Sequence, residues 1–212
     1  MKTSIALKTV LGAASLALPL MAFAESNVQT GAATAAPGAT AHVDFSIVIP
    51  KILYLRVGTG SSYTTGVLSS NPAVDLITFS PTAAQVGNGT AVAGTGGDLT
   101  GGVETAAVVS NSGNVTLNAT ATGALSDGTG DTIPYSQITT TSTTLTSATA
   151  LPAPVLTNAT SANVVLTAPA TKVIVQDAKW TFAYANTAAV PTGTYGGVNT
   201  NNSRVVYTAT MP

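Results

Sequence analysis

Cysteine is absent from the 212 residues, which excludes disulfide staples, zinc–thiolate clusters and thiol nucleophiles. Histidine occurs once, at His42. A His/Cys metal cluster is therefore impossible, and a Ser-His-Asp site would have to rest on that single residue. Charged side chains make up 7% of the chain, against about 25% in an ordinary globular domain. No basic run or stripe exists, so neither a nucleic-acid footprint nor a polybasic membrane patch is available. Aromatic residues are 5% and tryptophan occurs once. No segment after residue 24 combines the period and length of an amphipathic helix.

The first 24 residues read as an export signal. Lys2 and Lys8 supply a positive start, Val10 to Leu20 an apolar core, and Ala22-Phe23-Ala24 a small-x-small cleavage site. The apolar core is too short to span a bilayer as a helix. The sequence therefore predicts a signal peptide over 1–24, a product exported through the periplasm to the cell surface or beyond, and no transmembrane segment in the mature chain. Removing Lys2 and Lys8 leaves five basic and eight acidic side chains.

What fills the chain instead is threonine, 37 residues of it, much of it alternating with Val, Ala or Leu. Threonine favours strands and keeps their outer faces polar without charge. A surface so poor in charge leans toward self-association. Residues 25–41 hold glycine, proline and many alanines but only Val28 as a strongly apolar side chain. They are expected to form a flexible N-terminal arm, followed by one β domain over 42–212.

The densest β signal runs from His42 to Val57. Val43, Phe45, Ile47 and Ile49 alternate with polar residues, then Pro50 interrupts, then Lys51 to Val57 resumes. Period two marks a strand with one buried face, and the proline marks an edge, bulge or bend. This stretch is expected to be the founding strand. Further strands are expected at Val74–Phe79, Val103–Val109, Val115–Ala121, Asn163–Thr167 and Lys172–Gln176, with a last one carrying Val205, Tyr207, Ala209 and Met211. The short Asn111-Ser-Gly113 link predicts a hairpin between Val103–Val109 and Val115–Ala121. Many short strands with Gly/Pro turns indicate an all-β sandwich or barrel.

Candidates for chemistry are few. Asp75, Asp98, Glu104, Asp127, Asp131 and Asp177 could converge, but most sit beside turn residues and read as turn chemistry. Asp127-Gly-Thr-Gly-Asp131 lacks the calcium-loop spacing and reads as a hairpin turn. The glycine runs between Gly87 and Gly102 match no dinucleotide or phosphate loop. Trp180, Phe182 and Tyr184 alternate and read as core rather than as a sugar-stacking platform. Tyr63, Tyr135 and Tyr195 are the aromatic candidates for surface contacts. No catalytic, cofactor-binding or metal-binding residue is expected, and no enzyme activity. A carboxylate-based secreted hydrolase is the least supported alternative.

An export signal, a first strand broken at Pro50, a body of Thr-rich strands and the Pro191-Thr-Gly-Thr-Tyr195 turn before a final alternating strand resemble bacterial fimbrial subunits and the related spore-coat-U-like secreted pilin domains. The resemblance implies an immunoglobulin-like β-sandwich of short antiparallel strands, completed by a strand from a neighbour. It also implies a homo-polymeric cell-surface fibre, with a periplasmic chaperone and an outer-membrane pore as possible partners. Many members carry a disulfide near the first strand, whereas this chain has no cysteine. The assembly residues expected on this basis are Val43, Phe45, Ile47 and Ile49 on the donated segment, and Val205, Tyr207, Ala209 and Met211 on the strand that receives it. The alternative is a secreted carbohydrate-binding or adhesive module using loops such as Gly58 to Gly66 and Gly87 to Gly102.

Overall fold

A computed structural model of the protein describes residues 26–32, 38–60 and 68–212. The expected signal peptide, residues 33–37 of the expected arm, and Tyr63 with most of the loop around it lie outside the described residues. The chain divides into two units, Met1–Ile49 and Pro50–Pro212.

In the first unit the described residues form neither helix nor strand and are exposed throughout. This corrects the founding strand. His42–Ile49 pairs with no strand among the described residues, and regular pairing begins only at β1, Leu53–Val57. The cause lies at the interruption. Pro50 has no N–H to give a ladder, and the Asn111 side chain takes over the backbone there. Its Nδ2 donates to the Pro50 carbonyl at 2.8 Å, and its Oδ1 accepts from the Ile52 N–H at 2.8 Å.

The second unit is all-β and antiparallel. Beyond β1 its strands are β2 (Ile77–Thr78), β3 (Val92–Ala93), β4 (Thr95–Gly96), β5 (Val103–Ser110), β6 (Val115–Ala121), β7 (Leu125–Ser126), β8 (Thr132–Ile133), β9 (Ile138–Thr143), β10 (Val164–Leu166), β11 (Ile174–Tyr184) and β12 (Val205–Thr210). The larger sheet runs β1-β5-β11, with β3 continuing along β11 beyond β5 and β9 on β11's other side. A second sheet has the order β10-β6-β12, and β2–β4 and β7–β8 form small pairs. No helix among the described residues is long and apolar enough to cross a membrane.

The expected hairpin between β5 and β6 does not form. The two strands belong to different sheets, and Asn111–Gly113 carries the chain from one sheet to the other. A short Gly-containing link permits either outcome, so the deciding contacts are distant ones. The Gly113 N–H donates to the Lys172 carbonyl at 3.0 Å, and Asn114 Oδ1 accepts from the Ala168 N–H at 2.9 Å. Both strands then bury an apolar face in one core. Ala106 and Val108 of β5 meet Val115, Leu117 and Ala119 of β6, all within 2% of full burial. Trp180 and Phe182 join them, as their alternation with Tyr184 implies.

Asp177 sits on the opposite face of β11 from Trp180 and is completely buried. Its carboxylate accepts from the Thr146 and Ser147 N–H groups at 3.0 and 2.7 Å and from the Thr146 hydroxyl. The acid thus pins a Thr/Ser-rich connection onto the sheet. Asp177→Ala would take the acceptor from donors that lie partly open to water, Thr146 being exposed and Ser147 half-buried, at a cost of about 1.5–3 kcal/mol, the range for hydrogen bonds to a charged group. The expected result is a clear fall in urea midpoint at unchanged m-value, and a midpoint equal to wild type would refute this role.

Candidate assembly groove

β12 alternates cleanly. Val205, Tyr207 and Ala209 are half-buried on its inner face, Met211 follows them just past the strand, and Val206, Thr208 and Thr210 point outward. Along one side it pairs with β6 from Val205↔Ala121 to Thr210↔Thr116. No strand among the described residues pairs with its other side. β1 and β12 approach each other at one end, where Lys51 Nζ donates to the Pro212 carbonyl at 3.0 Å. Toward the other end, Leu55 and Val57 of β1 and Val205 and Tyr207 of β12 line a groove of about 1080 Å³. Phe79 and Phe182 add to its apolar lining, and the Tyr207 ring lies 5.3 Å from that of Trp180, tilted by 45°. The groove therefore opens directly onto the main core.

Two acids, Asp75 and Glu104, stand in the lining, and Asp98 lies beside them. Glu104, the second residue of β5, lies on the core-facing side, opposite Trp180 in the strand register, and is 5% exposed. Glu104 Oε2 accepts from the Asp98 N–H at 3.3 Å. Asp75 accepts from the Thr59 N–H at 2.6 Å and from the Thr59 hydroxyl at 3.0 Å. Asp98 pairs with Arg56 at 2.9 Å, and Arg56 Nε also donates to the Gly58 carbonyl at 2.7 Å. Gly58, at φ +82°, permits this crowding, because a Cβ there would collide with Asp75 Oδ2 and Glu104 Oε2. The chain can use that conformation cheaply only with glycine.

Burial pushes the Glu104 carboxyl up to about 7. The Asp98 N–H opposes that rise, while the Asp75 and Asp98 carboxylates and a hydrogen bond with Asp75 add to it. A carboxyl whose folded value lies above its unfolded one favours the protonated fold. Its contribution to stability falls as pH climbs from the ordinary carboxylate range toward about 7, and is level beyond. Burial, then the negative charge of Glu104 and of Tyr135, also lifts the Tyr207 hydroxyl well above its ordinary value.

The expected assembly residues separate into two sets. Val43, Phe45, Ile47 and Ile49 are 71–87% exposed and lie outside any sheet. Val205 and Tyr207 line the groove, and Ala209 and Met211 pack against the core cluster. Tyr135, expected at the surface, is instead 2% exposed and donates to the Asn202 carbonyl at 2.8 Å. Burial pushes its hydroxyl up to about 12. Of the six acids read mainly as turn residues, Asp127 and Asp131 do close the β7–β8 turn, where Asp127 Oδ1 accepts three backbone N–H groups. Glu104 and Asp177 are buried, contrary to that expectation. The grouping of Asp75, Asp98 and Glu104 around Gly58 has no local sequence signal, since three separate loops or strands bring it together. No group of His, Cys, Asp or Glu among the described residues is arranged to hold a metal ion.

No family model, curated protein or solved structure matches the chain.

Proposed function

We propose that the protein is a structural subunit of a secreted cell-surface fibre or matrix. Its Pro50–Pro212 unit is an immunoglobulin-like β-sandwich lacking one strand, and the Val43–Ile49 segment of a neighbouring copy supplies it. The observation that carries this reading is the pairing of two complementary features. One is an exposed segment with Val43, Phe45, Ile47, Val48 and Ile49 at 71–89% exposure. The other is an apolar groove beside β12, whose outer side pairs with no strand among the described residues. An exposed apolar run of this kind is costly in water unless a partner covers it. An unpaired strand side offers the N–H and C=O groups that a donated strand needs, while alternate side chains fill the groove. The export signal and the resemblance to fimbrial subunits favour a fibre outside the cell, reached with a chaperone and an outer-membrane pore. The alternating aromatics of β11 do not favour a sugar platform, because Trp180, Phe182 and Tyr184 are all buried.

The absence of cysteine makes a crosslinking test clean, since any disulfide must come from introduced pairs. A chain carrying Phe45→Cys and Val205→Cys is expected to form ladders of covalent oligomers on mild oxidation. Crosslinks confined to single chains, or no crosslinks at all, would overturn the proposal.

A further inference from the structure

We propose that the Glu104–Asp75 carboxyl pair makes filling of the groove proton-dependent, so that a donated strand is held tightly when Glu104 is a neutral acid and loosely when it is a carboxylate. The inference rests on the groove being the acceptor of a strand, as proposed above, and adds how that site is governed.

The placement of Glu104 carries the argument. It shares the inner face of β5 with Ala106, Val108 and Ser110, is 5% exposed, and lines the groove. No cation forms an ion pair with Glu104 among the described residues. Arg56 on β1 is held by Asp98 at 2.9 Å. Asp75, which precedes β2, and Asp98, which precedes β5, are acids themselves. Tyr207 on β12 and Tyr135 in the 3-10 turn before β9 are neutral phenols with raised values. Tyr184 on β11 and Arg204 just before β12 also line the groove, and Lys179 is exposed on the outer face of β11. With the groove empty, water reaches its mouth and can solvate the Glu104 carboxylate. A seated apolar strand removes that water, and an unpaired buried carboxylate is costly. Protonation lets Glu104 donate a hydrogen bond to Asp75 instead. Glu104 already titrates near neutral pH in the empty groove. Covering it raises its value further, so a proton is taken up on binding above about pH 7. Below that value the affinity is level, and above it the affinity weakens by up to about tenfold per pH unit. His42 and Asp44 are the titratable groups of the incoming segment.

The test titrates a labelled peptide, Val43–Pro50, into the full mature chain carrying Phe45→Asp, so that the chain's own segments do not compete. The peptide omits His42, and a second peptide with Asp44→Asn controls for the remaining acid. Kd is measured from pH 5.5 to 8.5. The expected result is a level Kd at low pH and a rise above about pH 7. Adding Glu104→Gln is expected to give tight, pH-independent binding, and adding Asp75→Asn to shift the rise. If Glu104→Gln fails to fold, the displaced midpoint in Asp75→Asn decides alone. Peptide binding without a pH slope, or with the same slope in the Glu104 and Asp75 variants as in their parent, overturns the proton dependence and leaves the groove as acceptor. No binding at any pH overturns the acceptor reading itself, and this inference with it.

Discussion

Trp180→Ala is expected to destabilise the Pro50–Pro212 unit by about 3–5 kcal/mol, the range for deleting a buried large aromatic. Its side chain is fully buried. The indole Nε1 donates to the Leu151 carbonyl at 2.8 Å, and that carbonyl also accepts from the Ser142 hydroxyl at 2.6 Å. On its other side the ring packs with Tyr207 across the two main sheets. Truncation thus removes apolar burial, an inter-sheet ring contact and a tie that anchors the segment after β9. Ala106, Ala119 and Ala178 of the same core cluster are too short to reach into the space. Small neighbours make the cavity term large. Chemical unfolding followed by far-ultraviolet circular dichroism reads the loss. In the wild type, Trp180 fluorescence should resist iodide quenching. A variant that melts like wild type, with an indole open to quencher, would place the residue outside the core.

Phe45→Asp is expected to do the opposite: to leave the folded unit unchanged while abolishing polymers. Phe45 is 87% exposed, and exposed substitutions away from special features usually stay within about 0.5 kcal/mol. Seated in an apolar groove, the same carboxylate would be an unpaired buried charge, costing about 3–5 kcal/mol. That is a weakening of at least a hundredfold in the subunit contact. Sedimentation velocity of residues 25–212 at matched concentrations measures it, with thermal melting run in parallel. Val155→Asp, at an exposed valine of the second unit (77% exposed), serves as control and should leave assembly intact. Polymers that persist in Phe45→Asp would remove the donated segment from the proposal, whatever the groove does.

The sequence made β12 and the aromatic face of β11 plain because both carry unbroken alternation, from Val205 to Met211 and from Trp180 to Tyr184. Such periodicity is a local property and survives folding. The same rule located Val43–Ile49 as strand-like, whereas the segment joins no sheet among the described residues. Alternation specifies a face, not a partner. Asn111-Ser-Gly113 misled for a related reason, since a tight link is compatible with a hairpin and with a passage between sheets. Lys172 and Asn114 settled it from outside the link. The acidic cluster was the least legible element. Asp75, Asp98 and Glu104 each sit in turn-like or strand-end context, and only the three-dimensional path around Gly58 puts their charges together.

The passage of β5 and β6 into separate sheets also sets how the chain must fold. None of the large pairings is local: Glu104 must find Trp180, and Ala119 must find Tyr207. Each closure gives up chain entropy before any contact repays it, and topologies built from distant pairings fold slowly. β6 lies in the middle of its sheet and can be completed only when β12, near the end of the chain, arrives. Until then one side of β6 keeps its backbone N–H and C=O groups without a ladder partner. Refolding of residues 25–212 should accordingly take milliseconds to seconds rather than microseconds, and through that interval the open edge of β6 is exposed to non-native pairing.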